Sequence, residues 1–355
     1  MKISYSDEFF IPFEVHLVNS CVIGLGEATH GTHEAFELKH RIIQFLAEQG
    51  WLRCICFECG FIPAKLIDAY IRFDQGSACV ALQRQQYWCW QTREVLDLIH
   101  WLHDFNQAQK NAHKIRFVGV DVQQVEAGAL ELSQYLRRQH PHLSHCLHTL
   151  AHGNFDNIET SETMAELGKL ELPQFLKTTA TNIYRYLDTY CNKQHQDGLA
   201  KREPYMAQTL IESVGTQQGT VYWAHNEHVA VNADFAGCCS AGWFLRDHYG
   251  QAYLSLGMLL GEGKFRAKDM HQQGRPITTF RVIPPDSTYV ECNFLGQPAG
   301  IYSVTSKAPY RRFLGSFYNS TTAQTNPDAF RITHQSSHFD LIAWLPHTRG
   351  TVGLE

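Results

Sequence analysis

The sequence lacks the features that direct a chain to a membrane or to a nucleic acid. No apolar run approaches the roughly 18 residues that a membrane-spanning helix requires, and acidic residues interrupt the N-terminal segment where a signal peptide would be apolar. Lysine and arginine form no block, and the net charge of the 355 residues is −5. Nucleic acids and anionic lipids need concentrated basic patches. We therefore predict a cytoplasmic protein with a small-molecule partner and with no nucleic-acid or membrane contact; the sequence does not indicate its oligomeric state.

Signatures of several well-known catalytic and cofactor sites are also missing. No G-x-S-x-G segment is present, which argues against a serine hydrolase of the α/β-hydrolase type. Neither a G-x-x-x-x-G-K-[ST] loop nor a G-x-G-x-x-G turn follows a strand, so nucleotide-binding folds have no support. H-E-x-x-H is absent, and the 11 cysteines have no paired zinc-finger spacing. We therefore predict no cofactor and no metal.

The chain does contain a series of strand-length apolar runs, each followed by a turn and a helical pattern. The first run, 21–25, precedes a helix at about 32–49 that Gly50 should end. RCICFECG is the second strand, with Pro63 in the first turn of its helix, and the amphipathic segment REVLDLIHWLHDFNQ leads into a third, KIRFVGVDV. Further strands are predicted in GTVYWAHNEH, AYLSLGM, STYVEC and FDLIAWLP. Strands that alternate with helices predict an α/β fold with a central, mostly parallel sheet flanked by helices.

The middle of the chain has a different character. From about 124 to 218 no convincing strand is found, and the segment is rich in Leu, Gln, Glu and His with helical periodicity. We predict that 124–218 form an inserted helical cap subdomain, and that 1–123 and 219–355 together form the α/β catalytic domain.

Ionisable side chains follow four of the predicted strands. They are Glu27 and His30 after the first, Glu58 after the second, Asp121 after the third, and His225 and His228 after the fourth. In an open parallel sheet, ligands bind beyond the carboxyl ends of the strands. The sequence therefore predicts that these residues converge on one cleft.

The run GEATHGTHE places Glu27 three residues before His30 in a glycine-bounded turn. A histidine titrates near neutral pH and can take a proton from water, while a nearby carboxylate can fix its tautomer and stabilise the imidazolium. The alternative is that both residues only cap the following helix. His33 and Glu34, one step into that helix, are expected on a solvated face.

Two other strand ends also have structural alternatives. Glu58 ends an almost wholly apolar strand, so its charge must be paired, hydrogen-bonded or solvated in a cleft. An ion pair with Lys39 or Arg41 would satisfy it and would be compatible with a catalytic role. In WAHNEH, His225 and His228 would share one face if the segment is helical; a single core histidine would be unremarkable, but two beside other ionisable groups favour a functional site.

These motifs resemble a known family, the erythromycin-esterase-like hydrolases, which include proteins labelled as succinoglycan-biosynthesis related. The resemblance depends on GEATHGTHEAFELKHRIIQFLAEQG, FECG, YWCWQTREVLDLIHWLHDFN, IRFVGVD, REPYMAQTL, WAHNEHVA and FDLIAWLP, which occur in the family's order and span about 21–346. GEATHG followed by WAHN-x-H is its specific part. The chain has REPYMA where R-D-x-x-M-A is more usual, which leaves the substrate open.

The resemblance implies hydrolysis of a carboxylic ester or lactone, with a macrolide-type lactone and antibiotic resistance as the first expectation. It implies that His30 is the general base, and that Glu27, Glu58, His225 and His228 are its companions. In the mechanism we predict, His30 deprotonates water and one of the two carboxylates orients it. His225 or His228 then polarises the substrate carbonyl.

We predict further substrate contacts around this set. Lys39 stands where the family commonly has arginine, so it would make a point-charge contact. Trp88 belongs to an aromatic stretch that would form one wall of an apolar pocket, although core packing is the alternative. Arg41, Asp121 and Asn226 complete the predicted substrate-binding residues.

Two other functions remain open at this point. One is a metal-dependent hydrolase in which His30, Glu58, His225 and His228 are ligands. The other is a non-catalytic binding protein that assists a biosynthetic pathway. An intact set of acid, base and histidine partners favours an enzyme over a pure binder.

Overall fold

The computed structural model describes residues 7–153, 160–191, 198–303 and 308–354. Its strands are β1 (Val22–Leu25), β2 (Cys54–Gly60), β3 (Arg116–Asp121), β4 (Thr220–Trp223), β5 (Tyr253–Asp269), β6 (Ile277–Arg281), β7 (Gly300–Ser303), β8 (Tyr310–Arg312), β9 (Phe317–Tyr318), β10 (Arg331–Thr333) and β11 (Leu341–Thr348). Its α-helices are α1 (Asp7–Leu17), α2 (His33–Glu48), α3 (Phe61–Phe73), α4 (Ala78–Gln83), α5 (Arg93–Gln107), α6 (Glu126–Leu136), α7 (Pro141–Ala151), α8 (Thr160–Leu167), α9 (Gln174–Tyr186), α10 (Gly198–Val214), α11 (Asn226–Val229), α12 (Ala241–Tyr249) and α13 (Ser320–Thr325).

The main sheet has the strand order β3-β2-β4-β1-β5-β11-β7. The first six strands in this order run parallel to one another, and β7, at the edge, is antiparallel to β11. The far end of β5 leaves this path and pairs with β6 and β9, while β8 and β10 form a separate antiparallel pair. The predicted fold class, a mostly parallel sheet flanked by helices, is confirmed.

Both faces of the sheet are buried, which explains why its strands read as continuous apolar runs. In β1, Ile23 and Leu25 pack with the cluster under α2 and α5, while Val22 belongs to the cluster under α10 and α12. This alternation is the period of two expected of a strand. No helix in the described ranges is long and apolar enough to cross a membrane.

Local sequence signals set several element boundaries as predicted, one predicted strand is absent, and one strand is longer than predicted. Helix α2 stops before Gly50, whose φ of +68° is a left-handed conformation that glycine adopts without strain, and Pro63 lies in the first turn of α3. The segment STYVEC, predicted as a strand, instead enters a 3₁₀ helix over Val290–Phe294. Strand β5 continues well past AYLSLGM to Asp269.

Between β3 and β4 the described residues form helices α6 to α10. Helices α6 to α9 share an apolar cluster of their own, which includes Leu132, Leu147, Leu176 and Ile183. An inserted subdomain would need an apolar core of its own, and this cluster would provide it. The limits 124–218 and the division into a cap and a catalytic domain stay predictions.

Candidate active site

The ionisable residues at the strand ends lie around one cavity of about 500 Å³. Those that line it directly are His30, Glu58, Asp121, His225 and His228. The order of the sheet explains the convergence, because β2, β4 and β1 are immediate neighbours and β3 adjoins β2. Glu58 lies where the register of β2 against β3 shifts, and such an irregularity re-aims side chains near functional sites.

The loop that carries His30 needs glycine because it runs against two other elements. A Cβ on Gly26 would lie 2.2 Å from Oδ1 of Asn226, and one on Gly31 would lie 1.8 Å from the backbone oxygen of Arg266. No side chain fits at these distances, so a larger residue would displace the loop. The two glycines of GEATHG therefore fix the position of His30 between them.

Glu27 holds one nitrogen of His30. The Nδ1 of His30 is 2.9 Å from Oε1 of Glu27, and Lys39 contacts the other oxygen of the same carboxylate. Lys39 also donates to the backbone oxygen of Ala224 at 3.0 Å. Since an ionised carboxylate only accepts hydrogen bonds, Nδ1 of His30 carries the hydrogen and Nε2 keeps a lone pair.

Nε2 of His30 faces the cavity and lies 4.0 Å from Oε1 of Glu58. Burial lowers the pKa of His30 below the usual 6.5; Glu58 opposes the change, and the charges of His228 and Arg202 add to it. His30 is therefore neutral at pH 7, with its free nitrogen directed at the space where a substrate would bind.

Glu58 is held ionised by a network of donors. Arg202 donates to Oε1 of Glu58 at 3.2 Å, and the backbone N–H of His225 donates to Oε2 at 2.8 Å. Burial by itself would raise the pKa of Glu58, but His228, His30 and Arg202 outweigh it and hold the pKa well below the usual range. Arg202 also forms a two-pronged contact with Asp121, at 3.0 and 2.7 Å.

His228 lies between two carboxylates. Its Nε2 is 3.2 Å from Oε1 of Glu58, and its Nδ1 is 2.8 Å from Oε1 of Glu203. Burial would lower its pKa, but the charges of Glu203 and Glu58 outweigh burial and raise the pKa to about 10. His228 is therefore an imidazolium across the neutral range, with Arg202 Nη1 3.2 Å from its Nε2.

Both ring nitrogens of His225 are occupied by main chain. Nε2 lies 3.2 Å from the backbone oxygen of Ala28 and 3.3 Å from that of Leu314, so it must carry the hydrogen. Nδ1 accepts from the backbone N–H of Glu227 at 3.3 Å. Burial, with His30 next in effect, lowers the pKa of His225 to about 3. His225 thus joins the loop of His30 to the segment of Leu314 as a neutral ring.

The sequence profile of the family described as erythromycin esterase matches residues 47–169 and 156–348. The chain belongs to the erythromycin esterase family. An erythromycin esterase type II of Escherichia coli is 22% identical over 343 residues, covering 81% of this chain and 80% of that protein. A solved succinoglycan biosynthesis protein has a TM-score of 0.79 at 20% identity, covering 98% of this chain and 93% of that one. The erythromycin esterase EreC, a mutant in its open conformation, has a TM-score of 0.69 at 15% identity, covering 96% and 94%.

Membership of this family, indicated in advance by the resemblance, supports a hydrolase. The solved structures are too distant in sequence to show more than the shared fold.

Three predicted substrate contacts do not reach the cavity. Lys39 is fully buried beneath it and binds Glu27, because helix α2 turns that side chain toward the sheet. Arg41 is exposed and donates to Gln44 at 3.0 Å. Asn226 gives its amide hydrogen to the backbone oxygen of Met258 and accepts from the N–H of the same residue, so it ties α11 to β5.

Aromatic side chains form much of the cavity wall. Trp88 lines it, as do its neighbours Tyr87 and Trp90. Trp90 packs edge-on against His30, with ring centroids 5.1 Å apart, and also against Phe57 in the core. The aromatic stretch therefore contributes side chains to the cavity wall and to the hydrophobic core.

Arg202 and Glu203 are the members of the network that the strand ends did not indicate. Both lie on α10, far along the chain from the sheet residues that they contact. The signal that was available is REPYMA, a motif of the family resemblance. A buried Glu58 also required a cation, and its cationic partners are Arg202 and His228 rather than Lys39 or Arg41.

His33 and Glu34 are not on a solvated face. His33 Nδ1 is 2.6 Å from Glu94, and this hydrogen bond raises the pKa of His33 above 6.5. Glu34 accepts from the backbone N–H of Arg349 at 2.7 Å. The second half of HGTHE thus anchors α2 to α5 and to the C-terminal segment.

Three residues of the site have the spacing of a cation site. One ligand atom from each of Glu27, His30 and Glu58 lies within 4.8 Å of the other two. Lys39 contacts Glu27, however, and Arg202 and His228 contact Glu58, so both carboxylates already have cationic partners. A divalent ion at this point would meet three nearby positive charges.

Proposed function

We propose that the protein hydrolyses a carboxylic ester or lactone with a water molecule that His30 activates. The observation that carries the proposal is the geometry of His30, which lines the cavity with Nδ1 2.9 Å from Glu27 and Nε2 4.0 Å from Glu58; burial lowers its pKa, which favours the neutral ring with Nε2 as the acceptor. A general base has to be unprotonated at the working pH and within reach of the water. His225 and His228 do not meet this requirement, because one has both nitrogens occupied and the other is charged.

Glu58 is the group that would orient the water. Its Oε1 and the Nε2 of His30 are 4.0 Å apart, a separation at which one water can hydrogen-bond to both atoms. His30 takes one proton as the water oxygen attacks the carbonyl carbon. When the tetrahedral intermediate collapses, the bond to the leaving oxygen breaks and that oxygen receives the proton from His30. The products are a carboxylic acid and an alcohol, or a hydroxy acid from a lactone.

Stabilisation of the developing oxyanion is assigned to Arg202 as the donor, while His228, whose two N–H groups are directed at Glu58 and Glu203, adds its positive charge. With His228 protonated, Nη1 of Arg202 has no acceptor in that ring, so its hydrogens are available to a substrate oxygen. Both cations are held by carboxylates, Arg202 by Glu58 and Asp121 and His228 by Glu58 and Glu203, which keeps them in place during the reaction. Preorganised donors of this kind contribute about 10²–10³-fold each.

A macrolide-type lactone is the first substrate to test, since the Escherichia coli relative is an erythromycin esterase, and its hydrolysis would make this a resistance enzyme. The cavity of about 500 Å³ falls within the usual size of a small-molecule site. Purified protein should be incubated with macrolides and with simpler lactones and aryl esters, and the products identified by the mass increase of one water.

The decisive variant is His30→Gln, which keeps a polar side chain of similar size. Turnover should fall by about 10²–10⁴-fold while substrate binding is retained. In the wild type, kcat should rise with pH through one ionisation below 6.5, because only neutral His30 can accept a proton and burial lowers its pKa. Unchanged turnover in the variant would refute the role of His30.

The same assay separates the two other candidate functions. Dialysis against EDTA followed by elemental analysis should leave activity intact; activity that vanished and returned with stoichiometric zinc or manganese would make these residues metal ligands. Binding of lactones without any turnover, in both wild type and variant, would indicate an accessory binding protein.

A further inference from the structure

The far end of β5 carries a row of cations that the proposed reaction does not use. Lys264, Arg266 and Lys268 alternate along the strand and so project from one face. Arg281 of β6 is directly opposite Lys264 and adds a fourth positive charge to that face. Like charges at opposed positions are destabilising in a sheet.

Lys268 is the member of this row that reaches the cavity. It lines the same space as His30, Glu58 and Arg202, and its ammonium lies 5.7 Å from the ring centre of Phe317, also in the wall. Arg266, one step back, lies over Trp88 at 5.8 Å. In the described part of the chain, Lys268 forms no ion pair with a carboxylate.

Three carboxylates near the cavity, Glu58, Asp121 and Glu203, outnumber the cations Arg202 and His228 by one, but each of them already contacts one of these cations. Glu58 and Asp121 face Arg202 and the imidazolium of His228. Glu203 adds a third carboxylate behind His228, but its oxygens are directed to that ring and to the backbone N–H of Ala241. Within the described residues, none of these carboxylates therefore forms an ion pair with Lys268. A cation in an aromatic wall attracts a negative group on a ligand and repels a positive one.

We propose that the substrate of this esterase carries a carboxylate in addition to the bond that is cleaved, and that Lys268 binds this carboxylate. A single ammonium matches a monoanion as a point charge, whereas a phosphate dianion would be better served by several donors. The aromatic wall accepts the apolar body of the substrate. The proposal depends on the proposed ester hydrolysis, and it predicts that substrates bearing an amine are disfavoured, so that among lactones one with a carboxylate should be cleaved faster than a macrolide with a basic amino sugar.

The test compares three 2-naphthyl esters that differ only at the end of the acyl chain. These are the monoester of adipic acid, the ester of hexanoic acid and the ester of 6-aminohexanoic acid, with the eight-carbon set as a second chain length. For the wild-type protein, kcat/KM should be about tenfold or more higher for the carboxylate ester than for the neutral one, and lowest for the amine. The preference should weaken as salt is added.

Two variants assign the preference to a residue. Lys268→Met keeps the aliphatic stem, and the backbone N–H of this residue still donates to Ser316; the ratio of carboxylate to neutral ester should fall to near one, mainly through KM. Lys268→Glu should reverse the order of the charged esters. Lys264→Met removes an exposed cation of the same strand that does not line the cavity, and should change the ratio by less than about twofold. A preference that survives Lys268→Met would overturn the proposal.

Binding measurements distinguish this proposal from the proposed reaction. Calorimetric titration with 6-(2-naphthyl)hexanoic acid and with its primary amide requires no turnover. Tighter binding of the acid, lost in Lys268→Met, together with no ester cleavage would support the carboxylate site and refute ester hydrolysis. Equal binding of acid and amide by the wild type would refute the carboxylate site, whether or not esters are cleaved.

Discussion

His30 and His228 approach the same oxygen of Glu58, and each has a second buried carboxylate at its Nδ1, Glu27 for one and Glu203 for the other. Their protonation states are nevertheless opposite, since the pKa of His30 is lowered and that of His228 is raised to about 10. The same types of residue thus provide a neutral histidine and a cationic one in one cleft.

The difference lies in what the second carboxylate contacts on its other side. The far oxygen of Glu27 contacts Nζ of Lys39, whose positive charge would offset that of the carboxylate; burial lowers the pKa of Lys39, and the contact with Glu27 favours its charged form. The far oxygen of Glu203 accepts only a backbone N–H, from Ala241 at 2.8 Å. His228 therefore experiences two effective negative charges, whereas burial dominates for His30. In the proposed reaction, Lys39 would therefore act through Glu27 without touching the substrate.

Of the changes considered, removing Lys39 should have the largest effect on the difference in pKa between His30 and His228. In Lys39→Met the side chain keeps its length, but Glu27 loses its cation, so its full charge should raise the pKa of His30 by about 1–3 units. The acid limb of kcat should move to higher pH by that amount. The variant should also be less stable by about 3–5 kcal/mol, because a buried carboxylate is left unpaired. Both quantities are measured directly, by pH-rate profiles and by urea denaturation.

The matched control is Lys39→Arg, which keeps the charge at a position where the family commonly has arginine. Its acid limb should remain where the wild-type limb lies. An unmoved limb in Lys39→Met, in a protein shown to be folded, would contradict the role of Lys39 in holding His30 neutral.

The reciprocal change is Glu203→Gln, which removes one of the two charges around His228. The pKa of His228 should fall from about 10 by about 1–3 units, since one opposite charge is lost. An imidazolium that stabilises the oxyanion is required in its protonated form, so activity should be lost at lower pH than in the wild type. The pKa can be followed directly by NMR of the protein labelled with ¹⁵N-histidine.

A suitable control lies on the same helix. Glu212 is half exposed and pairs with Arg185, away from the cleft, so Glu212→Gln should leave the alkaline limb in place. Glu203→Asp restores the residue usual in the family and should retain most of the raised pKa. If Glu203→Gln left the pKa of His228 near 10, a different source of its charge would be needed.

The sequence was sufficient for the part of the site that local rules determine. Strand-length apolar runs ending in Glu27, Glu58 and Asp121 place carboxylates at one edge of a parallel sheet, because the direction of the chain and the sheet fix where those ends meet. Strand β1 and the end of helix α2 before Gly50 also follow from short-range sequence signals.

What the sequence could not provide is the pairing between distant elements. Arg202 lies on a helix whose apolar periodicity does not show which of its polar residues reaches Asp121. The extension of β5 past residue 260 was missed because its outward face is charged, so it lacks the apolar run that marked the other strands. STYVEC has strand-forming residues, but its backbone forms a 3₁₀ helix under tertiary contacts that no local pattern records.

The smallest effect is expected at Arg41, which distinguishes it from its near neighbour Lys39. Two residues along a helix correspond to a rotation of about 200°, so the two side chains leave α2 on opposite faces. Lys39 is fully buried, while Arg41 is exposed and bonds only to Gln44 within the described structure. Arg41→Ala should therefore change the free energy of unfolding by no more than about 0.5 kcal/mol and should leave kcat/KM and the acid limb unaltered. A tenfold loss of kcat/KM with no loss of stability would mean that the outer face of α2 contacts the substrate. The difference in burial between Lys39 and Arg41 would then not explain a difference in their effects on the reaction.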